Sequence, residues 1–525
     1  SWTFRKAEKF FDVVTYTGDG VQGREISHNL GSTPGCMIIK KTNADRHWAI
    51  YHSGIGATKY LLFTTTGAAT SNQFWDDTEP TDSVFTVGNN PGVNTSGDTY
   101  VAYLFASDAG GFGADGTEDI ISCGSFTADG SGNATVDLGF EPQWLLTKNA
   151  SGSSSWGFSD IMRGFPVGSG RAYFAANTAA AEGYDAAQYV YPTSSGFTSA
   201  NGAWPASATI IYIAIRRPMK TPESGTEVFA TALYTGDGTT GNFIDTTITP
   251  DMIFGGNRGA GGGTFLSDRL RGQAALYTDG TNVEEVNAFM PSFDTMGGYI
   301  NNASGSSYNL SGNTYVRQAF KRAPGFMDVV CYTGTFVART VAHNLGVVPE
   351  MMIVKIRGSI SGAWEVYSGS ATSTIRLNTT NPSLTSSAEW NNTAPTASVF
   401  TVGNGASVND NSRTYVAYLF ATLAGVSKVG SYTGTGTTLA IDCGFAAGAR
   451  FVMIKRTDST GDWYVWDSAR GIIAGNDPYL LMNSTAAEVT NTDYIDPLSA
   501  GFTVTSTAPA AINANGGSFI YLAIA

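Results

Sequence analysis

The densest group of side chains that could do chemistry is a set of three carboxylates following a tryptophan in residues 75–81. A pair of carboxylates facing one bond is what glycoside hydrolysis requires, so Asp76, Asp77 and Glu79 are the first candidates for acid catalysis. The same segment returns at residues 390–396, where these positions are Asn391, Asn392 and Ala394. Two copies of one catalytic site would both keep their acids. The exchange favours a polar turn after a tryptophan, and we predict no catalytic residue here.

Histidine, the most frequent general base, occurs four times, as His28, His47, His52 and His343. Only His28 and His343 correspond, in a repeated His-Asn-Leu-Gly that is soon followed by proline. Nucleophilic catalysis needs an imidazole held between a nucleophile and an acid, whereas this short segment predicts a turn between two strands. The sequence also has no HExxH, GxSxG or phosphate-loop motif. We therefore expect a protein that is not an enzyme and has no cofactor.

Two loops present oxygen ligands of the kind that calcium prefers, in a repeated Tyr-Thr-Gly-Asp-Gly that contains Asp19 and Asp237. In two other copies the aspartate is replaced by Thr335 and Thr435. A cation site shared by all copies is therefore not favoured, and type I turns account for these loops. We predict no metal site.

Three residues are candidates for contact with a ligand or partner. Trp75 and Trp390 precede polar loops and could stack on sugar rings, although a core position is the favoured interpretation because each returns with its neighbours in one strand pattern. Arg258 lies in the glycine-rich segment 255–263, which predicts an exposed loop with partner contact as the alternative. Core positions are also predicted for the other repeated tryptophans, which are Trp48, Trp156, Trp364 and Trp463.

The composition excludes several classes of function. The net charge is -13 and the pI is near 4.8, so phosphates of nucleic acids and anionic membranes would repel the chain. No run of about 18 apolar residues is present, and we expect no membrane insertion. The four cysteines, Cys36, Cys123, Cys331 and Cys443, show no CxxC spacing and predict buried thiols rather than a disulfide framework or a zinc site.

Internal repeats organise the whole chain. Residues 11–18 return at 327–334, and both copies close on Thr-Tyr-Val-Ala-Tyr-Leu-Phe-Ala at 99–106 and 414–421. Weaker copies open near residues 125, 233 and 431. Repeats of this kind indicate a tandem array, in which a set of three modules spans about 315 residues before the pattern starts again.

We predict five modules of about 100 residues each. Their bounds are 8–113 for module 1, 114–221 for module 2, 222–324 for module 3, 325–425 for module 4 and 426–525 for module 5. Modules 1 and 4 are twins, and module 5 resembles module 2. Residues 1–7 correspond to the junction between modules 3 and 4, so we expect them to be the last strand of a truncated upstream module. The prolines and basic residues at the junctions predict stiff connections, so the array of modules should behave as a semi-rigid rod or arc.

The fold class predicted for each module is an all-β sandwich. Short segments rich in β-branched and aromatic residues alternate with clusters of Gly, Asn, Asp, Pro and Ser, which is typical of antiparallel strands and tight turns. About eight to ten strands fit in each module. A jelly-roll-like sandwich, whose first and last strands pair, lets modules follow one another on short linkers.

The order of these motifs resembles a repeat of bacteriophage structural and tail-fibre-like proteins. The resemblance rests on Phe-Asp-Val-Val-Thr-Tyr-Thr-Gly, the His-Asn-Leu-Gly turn, the closing strand, and an Asp-x-x-Arg-Gly step at residues 160–164, 268–272 and 467–471. It is closest in modules 1 and 4, and weakest in module 3, which lacks the tryptophan. The resemblance implies concanavalin- or laminin-G-like sandwiches carried on a virion, and no particular ligand.

The leading functional hypothesis is a non-enzymatic virion structural protein, a fibre, spike or other appendage that serves attachment to the host surface. We expect it to form a homo-oligomer and to contact other virion proteins, with a host surface glycan as a further candidate partner. The alternative is a capsid decoration or sheath protein with protein–protein contacts only. A polysaccharide depolymerase is a third and minor alternative.

Overall fold

The structure, a computed structural model, describes residues 2–168, 171–185, 189–259, 262–286, 292–293, 296–301, 308–358 and 360–525. The chain divides into two compact units, Ser1–Pro218, here unit 1, and Met219–Ala525, here unit 2. Unit 1 contains modules 1 and 2, and unit 2 contains modules 3, 4 and 5. Almost all regular structure is antiparallel β, as the composition and turn pattern predicted.

The strands of unit 1 follow one another with short turns. Those of module 1 are β1 Phe11–Thr17, β2 Arg24–Ser27, β3 Pro34–Lys41, β4 Ala49–His52, β5 Lys59–Leu62, β6 Thr70–Ser71, β7 Val84–Val87 and β8 Thr99–Ala106. Those of module 2 are β9 Ile121–Thr127, β10 Thr135–Asp137, β11 Pro142–Asn149, β12 Gly157–Asp160, β13 Arg171–Ala175, β14 Gly183–Asp185, β15 Tyr189–Thr193, β16 Gly196–Ala200 and β17 Thr209–Arg216.

Unit 2 repeats this pattern three times. Module 3 has a 3-10 turn at Gly225–Glu227 and strands β18 Phe229–Thr235, β19 Asn242–Asp245, β20 Met252–Asn257, β21 Phe265–Asp268, β22 Ala274–Tyr277, β23 Glu285–Val286, β24 Gly298–Asn301 and β25 Thr314–Phe320. Module 4 has β26 Met327–Thr333, β27 Arg339–Ala342, β28 Met351–Ile356, β29 Trp364–Tyr367, β30 Ser373–Arg376, β31 Leu384–Thr385, β32 Val399–Val402, α1 Ala406–Asn409 and β33 Thr414–Phe420. Module 5 has β34 Ser427–Thr433, β35 Leu439–Asp442, β36 Phe451–Arg456, β37 Trp463–Asp467, β38 Leu480–Leu481, β39 Ile495–Leu498, β40 Gly501–Val504, α2 Ala510–Asn513 and β41 Ser518–Ile524.

Each module consists of a large sheet of five or six strands and a small sheet of two or three. In module 4 the large sheet has the order β26-β33-β28-β29-β30-β31, and the small sheet pairs β27 with β32. The first strand of every module pairs with its last strand along the full length of seven residues, for example Met327 opposite Phe420 and Thr333 opposite Thr414. The predicted closure of each sandwich by its two terminal strands is confirmed.

The alternation of apolar and polar residues explains the small sheet. In its first strand only the third residue is buried, while its neighbours face outward, because successive side chains in a strand point to opposite faces. These single core residues are Ile26, Ile244, Val341 and Ile441, which are 6%, 7%, 5% and 6% exposed. Each therefore turns the small sheet toward the large one.

Residues 2–6 form no strand in the structure, contrary to the prediction for residues 1–7, and Ser1 lies outside the described residues. Ala7 makes an isolated bridge with Phe11. No strand among the described residues pairs with this segment, and a strand needs such a neighbour for its N–H and C=O groups. Lys6 reaches Asp12 with an ion pair of 2.6 Å, as Arg322 reaches Asp328 at 2.7 Å after module 3.

The modules of unit 2 do not follow one another as a simple row, which corrects the expectation drawn from the junctions. Module 3 contacts module 4 through Arg271 and Tyr418, and it also contacts module 5 through Arg258 and Glu488. Module 5 contacts module 4 through Trp463 and Arg376. Each module of unit 2 therefore touches the other two. These side contacts join the modules in addition to the linkers.

Within the part of the chain that the structure describes, the helices are single turns, and none has the length and apolar character needed to cross a membrane.

Candidate functional site

The two tryptophans considered for sugar stacking lie in the cores of their modules. Trp75 and Trp390 are both 0% exposed. Trp75 packs edge-on against Tyr51 at 6.0 Å between ring centroids, and Trp390 packs in the same way against Tyr367 at 5.9 Å. These indoles fill the favoured core position, and their buried faces do not offer a surface for a sugar ring.

The carboxylates after Trp75 occupy a backbone conformation that explains their exchange for asparagine. Asp76 and Asp77 have φ values of 52° and 51°, and Asn391 and Asn392 have 50° and 48°. Among residues with a side chain, Asp and Asn tolerate this left-handed conformation best. The position therefore requires the left-handed backbone conformation that both residue types tolerate, and it does not require the negative charge.

The repeated histidines hold a turn, as the sequence predicted. In module 1 the backbone N–H of Leu30 donates to Nδ1 of His28 at 3.2 Å, and Nε2 lies 3.3 Å from the carbonyl oxygen of Thr81. His343 repeats both contacts at 3.3 and 3.2 Å. Burial lowers the pKa of both imidazoles. A neutral ring that accepts at one nitrogen and donates at the other is fully used by this turn.

The Tyr-Thr-Gly motif marks a hydrogen-bonded clamp that sequence reasoning missed. In module 4 the hydroxyl of Tyr332 donates to the carbonyl of Val408 at 2.6 Å, while its ring stacks on Tyr415 at 5.2 Å. Asn409, the residue after Val408, is 0% exposed, and its side chain accepts from the N–H of Thr335 at 2.9 Å. The same buried asparagine occurs in three further modules, as Asn94, Asn309 and Asn513.

The glycine of this motif is required by close backbone approach. A Cβ on Gly334 would lie 2.1 Å from the carbonyl oxygen of Asp410, and the equivalent distance at Gly18 is also 2.1 Å, to Thr95.

In the loops considered for calcium, Asp19 and Asp237 accept from backbone N–H groups two residues on, each at 2.8 Å. Among the described residues, no group of three His, Cys, Asp or Glu side chains is arranged to hold a metal ion.

Repeated tryptophans join neighbouring modules within a unit. We call such a contact a joint. The indole N–H of Trp156 donates to the carbonyl of Leu62 in module 1 at 3.3 Å, that of Trp364 to Tyr277 in module 3 at 3.0 Å, and that of Trp463 to Arg376 in module 4 at 3.0 Å. All three are 0–2% exposed. The predicted burial is thus correct for three residues, but the burial occurs between modules, and Trp48 is only partly buried.

Module 3 lacks this tryptophan, and a threonine replaces it. Thr264 precedes β21 as Trp364 begins β29, and its hydroxyl donates to the carbonyl of Met482 in module 5 at 3.0 Å. The hydroxyl of Thr278 donates to the same carbonyl at 2.7 Å. A shorter side chain thus keeps a hydrogen bond across the joint between modules 3 and 5.

A buried lysine accompanies each joint tryptophan. Lys148, Lys355 and Lys455 are at most 1% exposed, and each ammonium donates to a main-chain carbonyl of the adjacent module at 3.0–3.2 Å. Burial lowers the pKa of each to about 8, so the ammonium form still predominates at neutral pH. The three-donor geometry of an ammonium group suits a ring of carbonyl acceptors.

Arg258, the third candidate for contact, is engaged within unit 2. Its guanidinium donates to both carboxylate oxygens of Glu488 in module 5. Nε lies 3.1 Å from Oε1 and 3.0 Å from Oε2, and Nη2 lies 2.9 Å from Oε2. Arg357 of module 4 holds Glu284 of module 3 in the same manner. Burial alone would raise the pKa of Glu284, but the guanidinium groups beside it keep that pKa below its ordinary value. Residues 260–261 of the glycine-rich loop lie outside the described residues.

The Asp-x-x-Arg-Gly step also faces a joint. Arg271 and Asp268 form a fully buried ion pair of 2.5 Å, and the hydroxyl of Tyr418 in module 4 donates to Asp268 at 2.7 Å. In module 5, Asp467 pairs with Arg470 and accepts from the side-chain amide of Gln318 in module 3 at 2.9 Å. Buried charges of this kind need such partners, because an unpaired charge in a protein interior is costly.

One carboxyl stands apart from the joints. Asp477 in module 5 is 0% exposed, and burial together with nearby Asp496 and Asp493 raises its pKa to about 7. One of its oxygens accepts from the N–H of Ile473 at 2.8 Å. A carboxyl that titrates near neutrality is one sign of a functional site, and no motif in the sequence indicated it.

A surface pocket of about 810 Å³ lies in unit 1. We call it the unit 1 pocket. Its walls are mainly aromatic and aliphatic, with residues from the N-terminal segment, from the large sheet of module 1 and from the loop after β13. The residues that matter below are Phe4, Ile38, Trp48, Tyr103 and Phe105.

These features define a multi-module all-β protein in which turns and joints use the polar side chains. A family model described as a domain of unknown function, DUF7483, matches residues 5–217 and 224–525. The chain therefore belongs to the DUF7483 family. No curated protein matches the sequence.

Proposed function

We propose that this protein is a non-enzymatic structural component of a bacteriophage virion, an appendage or fibre segment that serves attachment to the host surface. The main support for this proposal is the structural use of side chains that could otherwise act in catalysis. Several side chains that could take part in catalysis have structural contacts instead: His28 and His343 hold turns, and the pairs Arg258–Glu488 and Arg357–Glu284 join modules of unit 2. The sequence resemblance described above supplies the virion context.

Rigidity is what this use of charge provides. Arginine pairs of the bidentate type fix both distance and orientation between two modules. A virion component must transmit force and keep its shape without metabolic control, and sandwich modules locked side by side meet that requirement. Loops at module ends would then make repeated weak contacts with a glycan or a neighbouring virion protein, and repetition would give avidity.

A second candidate is a capsid decoration or sheath protein. It is favoured by the pairwise contacts among modules 3, 4 and 5, which give a compact block rather than reach. In that role only protein–protein contacts are needed.

Counting copies in purified particles separates the two candidates. Quantitative mass spectrometry should find a few to tens of copies per virion for an appendage, and hundreds for a decoration or sheath protein. Absence of the protein from particles would refute both. Incubation of the full chain with host polysaccharide should release no reducing ends, and release that Asp477→Asn abolishes would instead support a depolymerase.

A further inference from the structure

We propose that the unit 1 pocket is the docking site of a third sandwich module, of the type that module 3 provides in unit 2. The occupant is a partner of defined chemistry. It is a β-sandwich with an apolar face on its large sheet and an Asp-x-x-Arg pair in the loop beside that face. This interaction surface goes beyond the virion role proposed above and does not depend on it.

Trp48 lacks the contact across a joint that its equivalents make. Its three equivalents each donate an indole hydrogen bond to the main chain of a neighbouring module and are at most 2% exposed. Trp48 immediately precedes β4, the equivalent strand of the large sheet, and packs on Tyr103 at 6.1 Å, but it stays partly exposed. No described residue accepts a hydrogen bond from its indole N–H, in contrast to the three joint tryptophans.

Two neighbouring groups, the Arg46 amide and the Lys40 ammonium, also lack the contact with another module that their equivalents make. The amides of Ser154, Gly362 and Gly461, two residues before the joint tryptophans, donate across joints at 2.9, 3.0 and 2.9 Å. The amide of the corresponding residue, Arg46, has no acceptor in the described part of the chain. Lys40 of β3 corresponds to the three buried lysines, yet its ammonium donates within module 1, to the carbonyl of Arg46. Two donors, the Trp48 indole and the Arg46 amide, thus have no acceptor among the described residues, and the lysine does not reach another module.

The same wall of the large sheet borders a small cavity in unit 2 and a large pocket in unit 1. At the centre of unit 2, Ile353, Tyr418 and Phe420 of module 4 line a cavity of only about 20 Å³, because module 3 fills the space with Met252, Phe254, Leu266 and Phe320. Ile38, Tyr103 and Phe105 of module 1 occupy the strand positions that correspond to Ile353, Tyr418 and Phe420 of module 4. In module 1 these residues line the pocket of about 810 Å³.

Phe4 of unit 1 has the same aromatic surroundings as Phe320 of unit 2. It packs against Phe105 and Trp144 at 6.0 and 5.8 Å, as Phe320 packs against Phe420 and Phe451 at 6.2 and 5.7 Å. Phe320 ends the last strand of module 3. Phe4 therefore takes the place that Phe320 has in unit 2, while the space that Met252, Phe254 and Leu266 fill there corresponds to the open pocket in unit 1.

A second copy of this chain does not offer the required face. In unit 2 that face of module 3 already lies against modules 4 and 5, with Phe254 4% and Leu266 2% exposed. The partner must therefore be another module of the same type with its face free.

The test adds such a module to the full chain. A chimera would carry residues 222–317 directly before Trp2, so that the added strand continues into Phe4 as module 3 continues into Phe320. Hydrogen exchange at the Arg46 amide should slow at least tenfold relative to the parent chain. Acrylamide quenching of Trp48, isolated by comparison with Trp48→Phe in both backgrounds, should fall several-fold.

A matched control carries Phe254→Asp in the added module only, which charges the docking face and should restore fast exchange at Arg46. Docking is refuted if the added module is protected in its own strands while Trp48 stays as accessible as before. An added module without protected strands refutes it too, because a matching site stabilises what it binds. Concentration-dependent dimers of the parent chain that protect Arg46 would assign the pocket to a second copy instead.

Discussion

Removing one hydroxyl should measure how strongly the buried charges hold modules 3 and 4 together. Tyr418 donates to Asp268 at 2.7 Å and accepts from Nη2 of Arg271 at 2.9 Å, and all three residues are buried. Tyr418→Phe keeps the ring and deletes both bonds. A hydrogen bond to a charged group contributes about 1.5–3 kcal/mol, and the unpaired donor and acceptor stay buried. We expect unit 2 to lose about 3 kcal/mol of unfolding free energy.

Unit 1 supplies the matched control. Tyr103 occupies the equivalent position in module 1, where its hydroxyl has no hydrogen-bond partner among the described residues. Tyr103→Phe should change stability by no more than about 0.5 kcal/mol. Urea unfolding followed by hydrogen exchange in peptides from each unit would report both values separately. Equal effects of the two substitutions, or a loss below about 0.5 kcal/mol for Tyr418→Phe, would refute the argument that the charged joint needs this hydroxyl.

Three further predictions concern single buried groups. Burial lowers the pKa of His52 to about 4, so unit 1 should lose about 3 kcal/mol as pH falls from 6.5 to 4, where only the unfolded chain takes up the proton; His52→Gln should flatten this dependence in urea titrations. The raised pKa of Asp477 has the opposite sign, because the folded chain keeps the proton; unit 2 should lose stability from pH 4 to 7, and Asp477→Asn should be the more stable form by about 4 kcal/mol at pH 8, measured by the same unfolding assay. Asn409→Ala leaves Thr335, Val337 and Gly403 without their amide partner and should cost about 3 kcal/mol, with faster exchange at the Thr335 amide as its direct sign.

Much of the fold follows from local pattern. Strand periodicity, turn residues and the repeats led to five sandwiches, and the exchange of Asp76 for Asn391 correctly indicated a turn. These are features in which neighbouring residues determine one another. The histidine turns were predictable for the same reason, since His28 and His343 each contact residues two positions away.

The joints were not predictable, because their partners are far apart in sequence and look alike in every module. Arg258 contacts Glu488 across 230 positions. A tryptophan that fills a core and one that seals a joint share the same apolar setting, so Trp364 and Trp390 were given one role although they have two. The change from tryptophan to Thr264 looked like weak resemblance, whereas it marks a joint of different chemistry.

The chemistry of the joints also has a consequence for how near-identical modules find their proper neighbours. The position that holds Arg357 against Glu284 holds Arg258 against Glu488, but Thr457 against Ser383 at the remaining joint of unit 2. A module that docked in the wrong order would bury an arginine or a glutamate opposite a hydroxyl, at a cost of several kcal/mol. Repeated chains are prone to exchange equivalent modules during folding. Differences between joints therefore make module pairing specific. Duplicated modules can stay similar in fold while each docks only against its proper neighbour.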